Sequence, residues 1–180
     1  MPLTFAAEGR PNSVAISCWS FEAGERNGIH TSVAGINPAS GAISNNILFG
    51  YPFTVYEPYR IRNFYVVNGS TTITGNIDMA VYDTTGTKLV GTGAIAQAGV
   101  SALQLIAADY TLDRGLYYAA FSCSSATATF YRYVSMGNPS RMAGFVQVAS
   151  GAHPLPATVT FAASTLGTCP VFGITKRTVL

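Results

Sequence analysis

The chain has 180 residues, 48% of them apolar and only 10% charged, so it can bury a sizeable core and must fill its surface largely with Thr, Ser, Asn and Gly. This balance excludes an intrinsically disordered chain and fits a single domain spanning residues 1–180. Ten Lys plus Arg against eight Asp plus Glu leave a net charge of +2, too weak a field to recruit nucleic acid or a membrane surface, and neither is expected as a partner.

The first ten residues carry neither the basic lead nor the apolar run of a secretion signal, and no window holds about eighteen apolar residues in succession. A soluble chain made in the cytosol is expected. Cys18, Cys123 and Cys169 are far apart, odd in number and without Cys-x-x-Cys spacing, so they read as small buried hydrophobes.

Helical periodicity is nearly absent, while β-branched and aromatic runs recur between clusters of Gly, Asn, Asp and Pro; the chain reads as all-β. In chain order, strands are expected at 13–19, 47–56, 60–67, 76–82, 87–90, 102–107, 116–123, 127–135, 157–163 and 171–179. That number of short strands in one domain predicts a two-sheet antiparallel sandwich, jelly-roll-like, with 21–46 and 136–156 as long ordered loops or arms.

Alternation is clearest where Ile77, Met79 and Val81 interleave with Asp78, Ala80 and Tyr82, which sets one apolar row inward and a mixed row outward. Val159 and Phe161 against Thr158 and Thr160 repeat it. From Leu116 to Phe121 both faces are apolar, so this strand is either covered on both sides or offers its outer face to a partner. Asp83-Thr84-Thr85-Gly86 predicts a tight hairpin, with Asp83 at the first turn position and Gly86 at a positive φ. Asp113 and Gly115 are expected to shape the start of the next strand. Asn68-Gly69-Ser70 reads as a turn.

Residues that could carry chemistry are sparse. His30 and His153 lack ligand-spaced neighbours and read as solvated loop residues. The carboxylates Asp78, Asp83, Asp109, Glu22 and Glu25 would make a glycosidase only if two converged in one cleft, and Asp109 with Asp113 offers too few oxygens for calcium. Nucleophile-elbow and phosphate-loop motifs are absent. A non-enzymatic role without cofactor or metal is therefore expected.

The aromatics are more suggestive: ten Tyr, ten Phe and one Trp, several beside arginine, with two lysines against eight arginines. Tyr59, Arg60 and Arg62, and Tyr131, Arg132 and Tyr133, are candidates for an interface or a ligand surface, together with Tyr117 and Phe121. On a strand, Tyr131 and Tyr133 would share a face and form a platform for another protein or a glycan.

The segment from Gly75 through Asp83-Thr84-Thr85-Gly86 to Gly93, and the later Leu112-Asp113-Arg114-Gly115-Leu116-Tyr117-Tyr118, resemble a block in β-sandwich virion proteins of tailed bacteriophages. There an apolar strand ending in Tyr-Asp precedes a Gly hairpin, and a later Leu-x-x-Gly-x-Tyr-Tyr opens another strand. Residues 155–161 and 169–174 are similar to the closing strands of such proteins. The resemblance implies a virion structural protein assembled in the host cytoplasm: head decoration or cement first, tail or fibre next. It also implies a homo-oligomer, with a trimer favoured, and the major capsid protein or other virion proteins as partners. A receptor-binding module that holds host glycans is the alternative.

Overall fold

The computed structural model describes residues 19–20, 28–30, 39–71, 75–134, 145–148 and 150–176. No helix occurs among them. In chain order the strands are β1 (Trp19–Ser20), β2 (Gly28–His30), β3 (Ala39–Ala42), β4 (Leu48–Val55), β5 (Tyr59–Val67), β6 (Asn76–Tyr82), β7 (Lys88–Gly91), β8 (Ile95–Ala96), β9 (Leu103–Leu112), β10 (Gly115–Cys123), β11 (Thr129–Val134), β12 (Val146–Val148), β13 (Ala162–Ala163), β14 (Thr168–Pro170) and β15 (Phe172–Thr175).

The protein is an all-β antiparallel sandwich. One sheet runs β1-β2-β15-β5-β9 and the other β13-β12-β4-β10-β6-β7, with β8 also paired to β6. A third, smaller sheet, β14-β11-β3, is an addition to the two expected. The three meet in an aromatic cluster. The Phe172 ring lies 5.1 Å from Tyr51 and 5.5 Å from Phe121, and Phe121 meets Phe130 edge-on at 5.1 Å. All four rings are buried, and each contributes about 1.5–3 kcal/mol of apolar burial.

Period-two patterning places the inward rows as expected. Ile77, Met79 and Val81 of β6, Phe49, Tyr51, Phe53 and Val55 of β4, and Ala119, Phe121 and Cys123 of β10 all enter this core. The opposite face of the same three strands departs from expectation. Asp78, Ala80, Tyr82, Leu48, Ala120 and Ser122 are all buried too, because residues 150–161 run across them as a strap. Ala152 and Leu155 complete a second apolar cluster there, with Tyr118, Val148, Val159 and Phe161 against it.

Most of 157–163, expected as a strand, is this strap, and only Ala162–Ala163 pairs as a strand, with β12. The alternation was nonetheless real: Val159 and Phe161 pack on the sheet while Thr158 and Thr160 are exposed. The expected loops 21–46 and 136–156 contain β2, β3 and β12. Short apolar runs there gain ladder partners from strands far away in sequence. The strand expected at 13–19 lies outside the described residues except for Trp19.

The hairpin after β6 forms as its residues dictate. Asp83 Oδ1 accepts from the Thr85 and Thr87 main-chain N–H groups and from the Thr85 hydroxyl, and Gly86 N–H donates to the Asp83 carbonyl. Those bonds to the carboxylate, the Thr85 hydroxyl foremost, hold Asp83 below the usual carboxylate range. Gly86 has φ 83°, and a Cβ there would run into the carbonyl oxygen of Val159 in the strap. Gly115 has a different role from φ: a Cβ on it would crowd the Tyr117 ring at 3.2–3.3 Å. Asp113 acts through its carbonyl, which accepts from the Tyr117 hydroxyl. Asn68 makes no exposed turn; it is buried, and its amide joins Gln97, Gln104 and the Ala98 carbonyl.

Two glycines separate backbone strain from collision. Gly93 also has positive φ, 67°, but a Cβ on it meets nothing. Gly93→Ala is expected to cost about 1 kcal/mol, as strain alone, whereas Gly86→Ala should cost about 3 kcal/mol or more because the strap is displaced as well. Urea unfolding of both variants measures the difference.

Candidate functional site

The residues singled out by composition separate into core and surface. Phe121 is wholly buried, Tyr133 is buried, and Tyr117 packs half-buried against Phe53 at 5.8 Å. Tyr133 is buried in the core and Tyr131 is half-buried, so the two rings do not form the expected exposed platform. Arg132 lays its guanidinium over Gly41 of β3. Tyr59 is buried with the Lys176 ammonium 4.9 Å above its ring, and burial raises its hydroxyl pKa. The outer face of β10, a possible partner surface from its sequence, is covered by the chain's own strap from Tyr118 to Ser122 and left exposed at Leu116.

Of those candidates Arg60 is exposed, and Arg62 is half-buried beside it on the outer face of β5. Arg60 grips Asp109 of β9 with two bonds of 2.7 Å, and Arg62 lies 3.6 Å from the same carboxylate. The bond from Arg60 holds Asp109 below the usual carboxylate range. At such exposure the pair orients side chains more than it stabilises the fold.

Beside this ion pair the outer face of β9 is apolar. Leu103 is 51% and Leu105 36% exposed, and Ala107 is exposed as well. On β5, Val67 and Tyr65 lie opposite Leu103 and Leu105 and are half-buried. Among the described residues no strand lies beyond β9, so it forms a sheet edge.

Register tells which main-chain groups the edge presents. Asn68 N–H donates to the Ala102 carbonyl, while Val67 N–H turns the other way, to Val171. Ladder alternation then makes Val67–Leu103, Tyr65–Leu105 and Asn63–Ala107 the pairs that exchange no hydrogen bonds. The N–H and C=O groups of Leu103, Leu105 and Ala107 therefore point off the edge, on the same stretch as the exposed apolar row. A register shift opposite Ile61–Asn63 ends the regular stretch just past Ala107.

A second polar cluster fastens the strap. Asp78 Oδ2 accepts from Leu155 N–H at 2.9 Å, Lys88 Nζ donates to the Leu155 carbonyl at 2.6 Å, and the Tyr82 hydroxyl donates to the Pro156 carbonyl at 2.7 Å. His153, expected to be solvated, is half-buried with Nδ1 3.0 Å from Ser122 Oγ. Burial raises the Asp78 pKa against its two hydrogen bonds and the charges of Lys88 and His153; burial lowers that of His153, partly offset by Asp78. Ser122 is fully covered, so the Ser–His contact works as a fastening between β10 and the strap.

Among the described residues the candidate carboxylates for a hydrolytic pair do not converge. Asp78 and Asp83 are five residues apart along and just past β6, about 16 Å at strand rise, and Asp109 lies on the far face of the other sheet. Glu22 and Glu25 lie outside the described residues. Among the described residues no three His, Cys, Asp or Glu side chains group as a metal site. Cys123 and Cys169 are buried, as expected, and burial pushes the Cys123 thiol up to about 11; Cys18 is outside the described residues. Comparison with family models, with curated proteins and with solved structures returns no match.

Leu103 and Leu105 escaped the sequence reading although their signal was present. Leu105-Ile106-Ala107-Ala108 is apolar on both faces, the same pattern that drew attention to β10.

Two measurements test the strap. Asp78→Ala leaves Leu155 N–H unpaired and is expected to cost about 1–3 kcal/mol, while Asp78→Asn keeps an acceptor, sheds the buried charge and should cost clearly less in the same denaturant titration. The His153 pKa is depressed in the folded state, so between its unfolded value near 6.5 and that lower value the unfolded chain binds the extra proton. Stability should therefore fall as pH drops below about 6.5, and His153→Gln should flatten that fall. Asp78 has the opposite sign in its own range: its raised pKa removes stability as pH rises from 3.8 through the folded value.

Proposed function

We propose that this chain is a non-enzymatic structural subunit of a tailed-bacteriophage particle, a shell-decorating or cement protein that acts through protein contacts. The observation that carries the assembly reading is the outer edge of β9. Exposed Leu103 and Leu105 and outward main-chain groups occupy one stretch, a surface suited to another protein chain. The phage attribution rests on the resemblance of residues 75–93, 112–120, 155–161 and 169–174 to virion β-sandwiches, and a jelly-roll connectivity goes with it. On this reading the partners are the major capsid protein or other virion proteins and further copies of the chain, with a trimer favoured. The chain assembles in the host cytoplasm and ends in the virion.

A tail or fibre module that binds host glycan is the second reading, favoured by the ring of Tyr56. It is 81% exposed in the β4–β5 turn, at the same end of the β4–β10 pair as exposed Leu116. A sugar ring stacks on such a surface.

Quantitative mass spectrometry of purified particles separates the readings. A copy number comparable to the major shell subunit supports decoration. A handful of copies supports a tail or fibre part, and glycan binding lost in Tyr56→Ala would then be the expected result. Absence from the particle overturns the virion reading.

A further inference from the structure

We propose that two copies of this chain join edge to edge, β9 against β9 in antiparallel register centred on Leu105. The inference rests on the reading of the chain as an assembly subunit and names how one of its contacts is made.

Three observations lead to a second copy as the occupant. The first is hydrogen-bonding complementarity. Leu103, Leu105 and Ala107 each turn both main-chain groups off the sheet, and an antiparallel edge is its own complement about a two-fold axis. Leu105 would then face Leu105 of the second copy and Leu103 would face its Ala107, each pair exchanging both main-chain bonds.

The second observation is side-chain continuity. The exposed row lies on one face with Val67 and Tyr65 beside it, so two-fold pairing merges the rows of both copies into one apolar band. Strand β9 has neither Lys nor Pro to block pairing, and its register shift lies outside the 103–107 stretch.

The third is charge. Asp109, the one charged residue of β9, is already neutralised by Arg60 and Arg62. In the register centred on Leu105 the regular stretches 103–107 of the two copies pair with each other, Asp109 falls beyond that pairing, and no like charges meet. Registers centred farther toward the C-terminal end of β9 set the Asp109 carboxylate against the apolar side chain of Leu103 or Leu105. A two-fold contact of this kind links subunits or trimers; it does not itself build a three-fold ring.

Cysteine trapping tests both contact and register. In an H-bonded antiparallel pair the Cα atoms are about 5.5 Å apart, within the span that a disulfide bridges. In a Cys18→Ser background under mild oxidation, Leu105→Cys is expected to give a covalent dimer. Thr111→Cys, on the same open face, should stay monomeric, and mixed Leu103→Cys and Ala107→Cys chains should cross-link to each other. Leu105→Lys should weaken self-association in sedimentation by about tenfold or more with an unchanged thermal melt. Failure of Leu105→Cys to cross-link, equal cross-linking by Thr111→Cys, or wild-type sedimentation of Leu105→Lys would overturn the proposal. If the protein is abundant on particles yet none of these variants behaves as expected, the pairing is wrong and the structural role stands. A trapped dimer of a protein absent from particles gives the converse.

Discussion

Burial of both faces of the β4–β10–β6 unit is the constraint from which the rest of the architecture follows. A sheet in this position needs one apolar layer from the facing sheet and another from outside. The facing sheet supplies Phe172 and Ile174, and the strap supplies Ala152, Leu155, Val159 and Phe161. An irregular segment laid over a sheet brings main-chain groups that need partners. Asp78, Lys88 and Tyr82 supply them at Leu155 and Pro156, and Lys88 N–H and the Gly86 carbonyl take up Ala157 and Val159. The buried carboxylate of Asp78 is costly by itself and tolerable because it accepts two hydrogen bonds near two basic groups. The hairpin at Gly86 belongs to the same fastening, since it is both the turn that ends β6 and the seat of the strap.

That closure decides where the molecule can meet anything else. With most of the outer face of one sheet covered, exposed apolar side chains and outward main-chain groups coincide, among the described residues, at the β9 edge of the other sheet. Edge strands of soluble proteins are usually guarded by lysine, proline, bulges or covering loops. Among the described residues the stretch from Leu103 to Ala107 carries none of these, and its neighbouring charge is internally neutralised by Arg60. A protein with two lysines in 180 residues has few residues with which to discourage strand pairing.

Much of the local structure was legible because local rules produce it. Strand β6 coincides with the predicted 76–82, since apolar and polar positions alternate there and Asp83 and Gly86 end it with their own bonding and φ requirements. The starts of β4, β5 and β10 lie within a residue of expectation. Strand β9 extends five residues past its predicted end at Ala107, through a register shift that sequence periodicity does not signal. The small strands β2, β3 and β12 lie in segments whose composition predicts loops, because they are held by partners remote in sequence.

The sequence by itself determined the all-β class, the main strands, the hairpin and which side of each strand each residue takes, because side-chain alternation and turn chemistry act over a few residues. Only the tertiary structure decided what covers each side. The two apolar faces of β10 and of β9 look alike in sequence, yet a strap closes the first and the second is left open. Tyr133 and Phe121 went to the core, His153 to a buried contact with Ser122, and Arg60 and Leu105 to the surface, because burial is set by which distant segment arrives above a face. Periodicity assigns a residue to a side of the sheet and carries no information about that segment.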